Sequence, residues 1–171
     1  GDESKLVDGC FLLSLIWSLG ATSDDDGRVL FESTLKELMV AENAPKISTK
    51  IQDKLSVYDI VFDTQKLNWV NWMDTIPAYS IPDGSRFEDI MVPTVDTVRY
   101  NYVLEMLCTH GKHVLFVGAT GTGKSLSISE KLMKGLPSNY IPIFMNFSAQ
   151  TSANQTQDII DAKLDKRRKG V

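Results

Sequence analysis

Gly118, Gly123, Lys124 and Ser125 stand in the spacing G-x-x-x-x-G-K-S, with Ala119, Thr120, Gly121 and Thr122 filling the interval. That combination suits a polyphosphate. Main-chain N–H groups converge on phosphate oxygens only where the chain curls tightly, and glycine allows the curl without a Cβ clash. Gly121 adds a third such position. Lys124 would bring a mobile positive charge to the β- and γ-phosphates, and the Ser125 hydroxyl a ligand for Mg²⁺. A helix opening near Lys124 would add the positive end of its dipole. The sequence therefore predicts an ATP or ADP site with Mg²⁺, in which residues 118–125 form the phosphate nest.

The surrounding pattern is the one that positions such a turn. "HVLFV", residues 113–117, reads as a short buried strand before it, and residues 124–136 as a helix closed around Gly135. "YIPIFMNF", residues 140–147, reads as a second strand and residues 154–168 as a second helix. Strand, turn, helix and strand make a βαβ unit, with a right-handed crossover and a parallel sheet. Val95, Val98, Tyr102, Val103, Met106 and Leu107 mark a helix ahead of the first strand. Hydrolysis requires an acid at the end of a later hydrophobic strand. The nearest candidate, Asp161 in "QDIIDAK", lies in a helical pattern. We expect a nucleotide pocket truncated before its hydrolytic half, with no catalytic residue assigned and negligible turnover.

The first half is of a different kind. Residues 5–19 predict a buried helix ending at Gly20, where a left-handed cap is expected. "TSDDDGR" comes next as a polar turn. Its EF-hand register places Thr22 and Ser33 where carboxylates are needed, which excludes calcium. Leu30, Phe31, Thr34, Leu35 and Leu38 predict an amphipathic helix over residues 28–39. Residues 57–79 predict one or two short strands, with Trp69 and Trp72 as a packed aromatic clamp. "IPDGSRFEDIMVPT" reads as a linker, with a turn at Pro82, Asp83 and Gly84 and a break at Pro93.

Net charge divides the same way. Residues 1–90 carry 8 basic and 16 acidic side chains, residues 91–171 carry 10 and 6. Two modules explain this better than a nucleic-acid binder, which shows an overall basic excess. Lys166, Arg167, Arg168 and Lys169 read as a solvated helix end. His110 and His113 lack a further metal ligand nearby, and Cys10 and Cys108 suit packed thiols in a reducing cytosol. The longest apolar run, residues 10–19, is short of the ~20 residues that span a bilayer, and acidic residues precede it where an export signal is basic. Neither nucleic acid nor membrane is expected as a partner. Gln150 and Thr151, past the second strand, are candidates for a sensing or inter-module role.

Several stretches together resemble dynein heavy chains of the axonemal type, at the join of the second and third AAA+ modules. "FLLSLIWSLGATSDDDGR" is similar to the small-domain helix and turn closing the second module. "WVNWMDTIPAY" and "DIMVPTVDTVRYNYVLEMLCTHGKHVLFVGATGTGKS" are similar to the entry and phosphate loop of the third. "NFSAQTSANQTQDIIDAKLDKRRKG" is similar to the strand and helix beyond that loop. The resemblance implies a truncated P-loop AAA+ core of α/β class behind a mostly helical small-domain segment. It implies residues 1–55 as that helical part, 56–90 as connecting strands and loops, and 91–171 as the start of the nucleotide-binding domain. Val92, Pro93 and Thr94 would lie against adenine, with Thr97 shaping the pocket. The family implies an accessory site in an ATP-driven, minus-end-directed motor of cilia. Implied partners are neighbouring modules, microtubules reached through other parts of the parent, and intermediate and light chains. A P-loop regulatory or adapter ATPase is the alternative. Ala119 departs from the proline usual at its position, which costs the turn some preorganisation but keeps an N–H.

Overall fold

A computed structural model describes residues 1–81, 84, 86, 90 and 92–164. The turn expected at Pro82 and Asp83 and the basic residues 166–169 lie outside the described residues. The chain divides into two compact units, Gly1–Tyr100 and Asn101–Val171.

In the first unit, α1 (Asp2–Ser18) and α2 (Asp25–Val40) are joined by a 3-10 turn, Gly20–Thr22. Asp24 starts α2 by accepting the Gly27 N–H, a standard N-terminal cap. The hairpin β1 (Ile60–Asp63) and β2 (Asn68–Asn71) is antiparallel, pairing Ile60 with Asn71 and Phe62 with Trp69. The Asp63 carboxylate accepts the N–H groups of Gln65 and Lys66, which turns the chain between the strands.

Helix α1 lies between two apolar clusters. Leu12 and Ile16 join Leu35, Ile51, Val57, Tyr58 and Ile60, whereas Leu13 joins Val61, Phe62 and Trp72. By length and composition the stretch Asp2–Thr22 would suffice to cross a bilayer, although its uninterrupted apolar run is shorter. Its Leu12, Leu13 and Ile16 are buried in these clusters instead. Trp72 is buried with its indole N–H donating to the Tyr58 carbonyl, and Trp69 packs edge-on to Phe62, as the aromatic clamp requires.

Two helical expectations are corrected here. Gly20 does not adopt the left-handed cap; a Cβ there would lie 2.6 Å from the Phe31 ring and 2.7 Å from the Tyr58 hydroxyl. Close packing, not helix termination, demands glycine. In α2, Leu30 and Leu38 are exposed and the inward stripe is Phe31, Leu35 and Met39. The apolar pattern is broad enough to rotate by one position.

The second unit holds the rest of α3 (Val95–Thr109), together with α4 (Lys124–Lys134) and α5 (Ala153–Lys163). Leu104 is the buried anchor of α3, and the Lys131 ammonium pairs with Glu105 at 2.5 Å. Helix α4 ends at Lys134 with Gly135 as its cap, short of the expected Leu136. Helix α5 starts on a reciprocal capping box between Ser152 and Gln155 and ends at Lys163 with Leu164 as its cap; the rest of the expected helix, 165–168, lies outside the described residues.

The strands expected at 113–117 and 140–147 are not formed among the described residues, whose one sheet is the hairpin. A parallel strand exists only through a neighbour that completes its ladder. Neither segment has one among those residues, and Leu115, Val117 and Ile141 remain 84–86% exposed. The parallel βαβ sheet is thus absent from the described residues, although a mixed α/β class is compatible with them.

Candidate functional site

The glycine turn takes the shape its residues require. Gly121 and Gly123 have φ of 84° and 76°, a left-handed backbone that strains any L side chain. Gly123 is the N-cap of α4, so Lys124 and Ser125 are its first two residues. The first four N–H groups of a helix have no intrahelical acceptor, and here they open at the turn.

The Lys124 side chain folds back over the turn. Its ammonium donates to the Ala119 carbonyl and to Thr122 Oγ1 at 3.0 Å, while Thr122 Oγ1 donates to the same carbonyl at 3.0 Å. Its Nζ would lie 3.7 Å from a Cβ placed on Gly118. The charge is therefore held over the loop, close to its main chain. Residues 118–123 and Ser125 are all exposed and Lys124 is half-buried, which leaves the turn accessible to a ligand. Among the described residues no group of three or more His, Cys, Asp or Glu could hold a metal ion by itself. Ser125 could supply one hydroxyl ligand beside phosphate oxygens.

Val92, Pro93, Thr94 and Thr97 belong to the first unit. Thr94 and Thr97 form a reciprocal pair at the start of α3: the Thr94 N–H donates to Thr97 Oγ1 at 2.8 Å, and the Thr97 N–H to Thr94 Oγ1 at 3.2 Å. Thr97 thus shapes this segment by fixing its turn. Val92 is exposed and Pro93 half-buried.

Sequence reading missed Arg99 and Tyr100, just beyond this pair. Arg99 donates to the Asp96 carboxylate and to the Tyr58 carbonyl at 3.4 Å, and its side chain is only 14% exposed. The i, i+3 spacing of Asp96 and Arg99 was the available signal. Thr151 Oγ1 accepts the Ser148 N–H at 2.8 Å, whereas Gln150 is exposed and is bonded through its main chain, its N–H donating to Ser148 Oγ at 3.3 Å. His110 Nδ1 lies 2.7 Å from the Met106 carbonyl, in keeping with a structural role.

An open apolar cleft of about 320 Å³ lies at the other end of α4, lined by Cys108, His113, Leu132, Leu136, Tyr140 and Pro142. It is roughly 16 Å along the helix from the glycine turn. Its lining is mostly apolar, and the N–H groups of Gly111 and Lys112 at its edge already donate to the Cys108 and Leu107 carbonyls.

Two family profiles divide the chain between them. Residues 2–74 match the dynein heavy chain AAA lid domain, and residues 79–171 the P-loop containing dynein motor region. Rat dynein axonemal heavy chain 12 is 45% identical over 172 residues, covering 94% of this chain and 6% of the relative. Mouse dynein axonemal heavy chain 1 is 42% identical over 183 residues, covering 98% and 4%. Human dynein axonemal heavy chain 2 is 38% identical over 168 residues, covering 97% and 4%. The chain thus spans about a twentieth of the length of the curated relatives it matches.

Proposed function

This chain belongs to the dynein heavy chain family, and we propose that it carries an accessory nucleotide site in the motor ring of an axonemal dynein. P-loop membership of that family implies nucleotide binding. In this reading ATP or ADP places its phosphates against the N–H groups of residues 118–123, with Lys124 on the β- and γ-phosphates and Ser125 on Mg²⁺. Val92, Pro93 and Thr94 take the adenine, and Thr97 holds their turn. Residues 1–55 act as the small-domain lid of the second AAA+ module, residues 56–90 connect, and residues 91–171 begin the third.

The parent would be an ATP-driven motor moving toward microtubule minus ends in cilia. Its neighbouring modules would be the site's immediate partners, and microtubules, intermediate chains and light chains would engage other regions. The names of the relatives, axonemal heavy chains throughout, favour this over a P-loop adapter without a motor role.

One observation carries the reading: two left-handed glycines turn the chain into the N-terminus of α4 while the Lys124 ammonium lies across the turn. Titration with a fluorescent ATP analogue, in wild type and Lys124→Ala, tests it. Saturable binding lost in the variant is expected; superimposable curves would remove the pocket. A multiple-turnover phosphate-release assay is expected to show negligible hydrolysis by this chain, since no later strand among the described residues brings an acid to Mg²⁺ and water.

A further inference from the structure

The residues after Thr97 are held far more firmly than a helix start requires. Val98 packs against the cluster of Leu13, Val61, Phe62 and Trp72. The Arg99 guanidinium is bound at once to its own helix, through Asp96, and to the segment before the hairpin, through the Tyr58 carbonyl, with Asp59 at 3.9 Å. That same carbonyl accepts the Trp72 indole N–H at 2.9 Å, so α3 and the 3-10 turn Trp72–Thr75 that follows β2 converge on one oxygen. Tyr100 meets Trp17 edge-on at 6.2 Å, and its hydroxyl accepts from Arg28 at 3.5 Å. Arg99 also lies 5.4 Å over the Tyr100 ring, adding a cation–π contact.

One helical turn is ~5.4 Å. Within that distance of the Thr94 and Thr97 pair, α3 is fastened to α1, β1 and the turn after β2. Fastening of this kind fixes where residues 92–94 stand relative to the rest of the first unit. We propose that Arg99, supported by Tyr100, is a positioning residue for the nucleotide base: it holds the segment of Val92, Pro93 and Thr94 in register by tying α3 to the hairpin. This rests on the reading of those three residues as the adenine contact. Loosening Arg99 leaves the glycine turn untouched, so its effect falls on the base and not on the phosphates.

The test compares two ligands on the 171-residue chain, ATP and inorganic tripolyphosphate, by calorimetric titration with Mg²⁺. Arg99→Gln is expected to weaken ATP about five-fold or more, while tripolyphosphate changes by less than about two-fold. Arg99→Lys keeps the charge but not the planar fork, and is expected to lose an intermediate amount of ATP affinity alone. It also serves if Arg99→Gln does not fold, as checked by circular dichroism. Equal weakening of both ligands by either variant would make Arg99 a general support and overturn the proposal. Val92→Asp separates the base contact from its positioning. If it weakens ATP alone while the Arg99 variants bind like wild type, the base-side reading stands and the positioning role falls. If neither position affects ATP, the base-side reading falls and takes the proposal with it.

Discussion

The Lys124 ammonium donates to Thr122 Oγ1 at 3.0 Å, across the turn that its own helix begins. An entering polyphosphate must compete with that oxygen and with the Ala119 carbonyl, both neutral acceptors. An anionic phosphate oxygen is the stronger partner, since it adds attraction between opposite charges to a bond whose donor is already an ammonium. Lys124→Ala should therefore lower ATP affinity about ten-fold or more, measured by equilibrium titration. Thr122→Val should leave it within about two-fold, because only a competing acceptor is removed.

Gly20 should tolerate nothing larger. A Cβ at this position meets the Phe31 ring at 2.6 Å and the Tyr58 hydroxyl at 2.7 Å. Overpacking a filled core costs about 1–3 kcal/mol, so Gly20→Ala should lower the urea midpoint of the first unit by that equivalent. An unchanged midpoint would show that the two rings move aside freely.

Glu32 ties α2 to the loop before β1. Its carboxylate accepts from Ser56 Oγ at 2.8 Å and the Val57 N–H at 3.3 Å, and pairs with Lys36 at 2.8 Å. Burial pushes its pKa up, but the Lys36, Ser56 and Val57 interactions outweigh it and hold the group below its ordinary 4.5. A depressed folded pKa means the stabilisation is present above the unfolded value and disappears as pH falls through the folded one. Chemical denaturation should show wild type more stable than Glu32→Gln at pH 7, with the gap closing below about pH 4.5. A gap independent of pH would assign the effect to packing.

How much is readable from sequence depends on where the information lies. The glycine turn is legible because its shape is local: left-handed backbone at Gly121 and Gly123 comes from residue type, and the place of Lys124 from the helix start. The hairpin and the Trp72 clamp are legible from β-branched and aromatic content. Gly20 is not, because its reason is tertiary, a ring packed against it from α2. The segments at 113–117 and 140–147 mislead because an apolar run reports a strand's propensity and not its partner. Arg99 escapes notice because an arginine in a polar helix start looks solvated until the Tyr58 carbonyl is seen beside it.

Those two apolar segments carry their own expectation. Leu115 and Val117 are 86% and 85% exposed, while Val114 and Phe116 are half-buried. Exposed apolar side chains at alternate positions promote association between chains. The double change Leu115→Lys and Val117→Lys should reduce concentration-dependent association in sedimentation velocity without lowering the melting of the first unit. Undiminished association would place the adhesive surface elsewhere.

The nest itself is read most directly by ¹H–¹⁵N amide shift mapping during titration with Mg-ATP. The account predicts saturable displacement of the Gly118, Gly121, Gly123, Lys124 and Ser125 amides in wild type, and its loss in Lys124→Ala. Saturable binding that leaves those five amides unmoved would contradict it, because the phosphates would then be held by some other part of the chain.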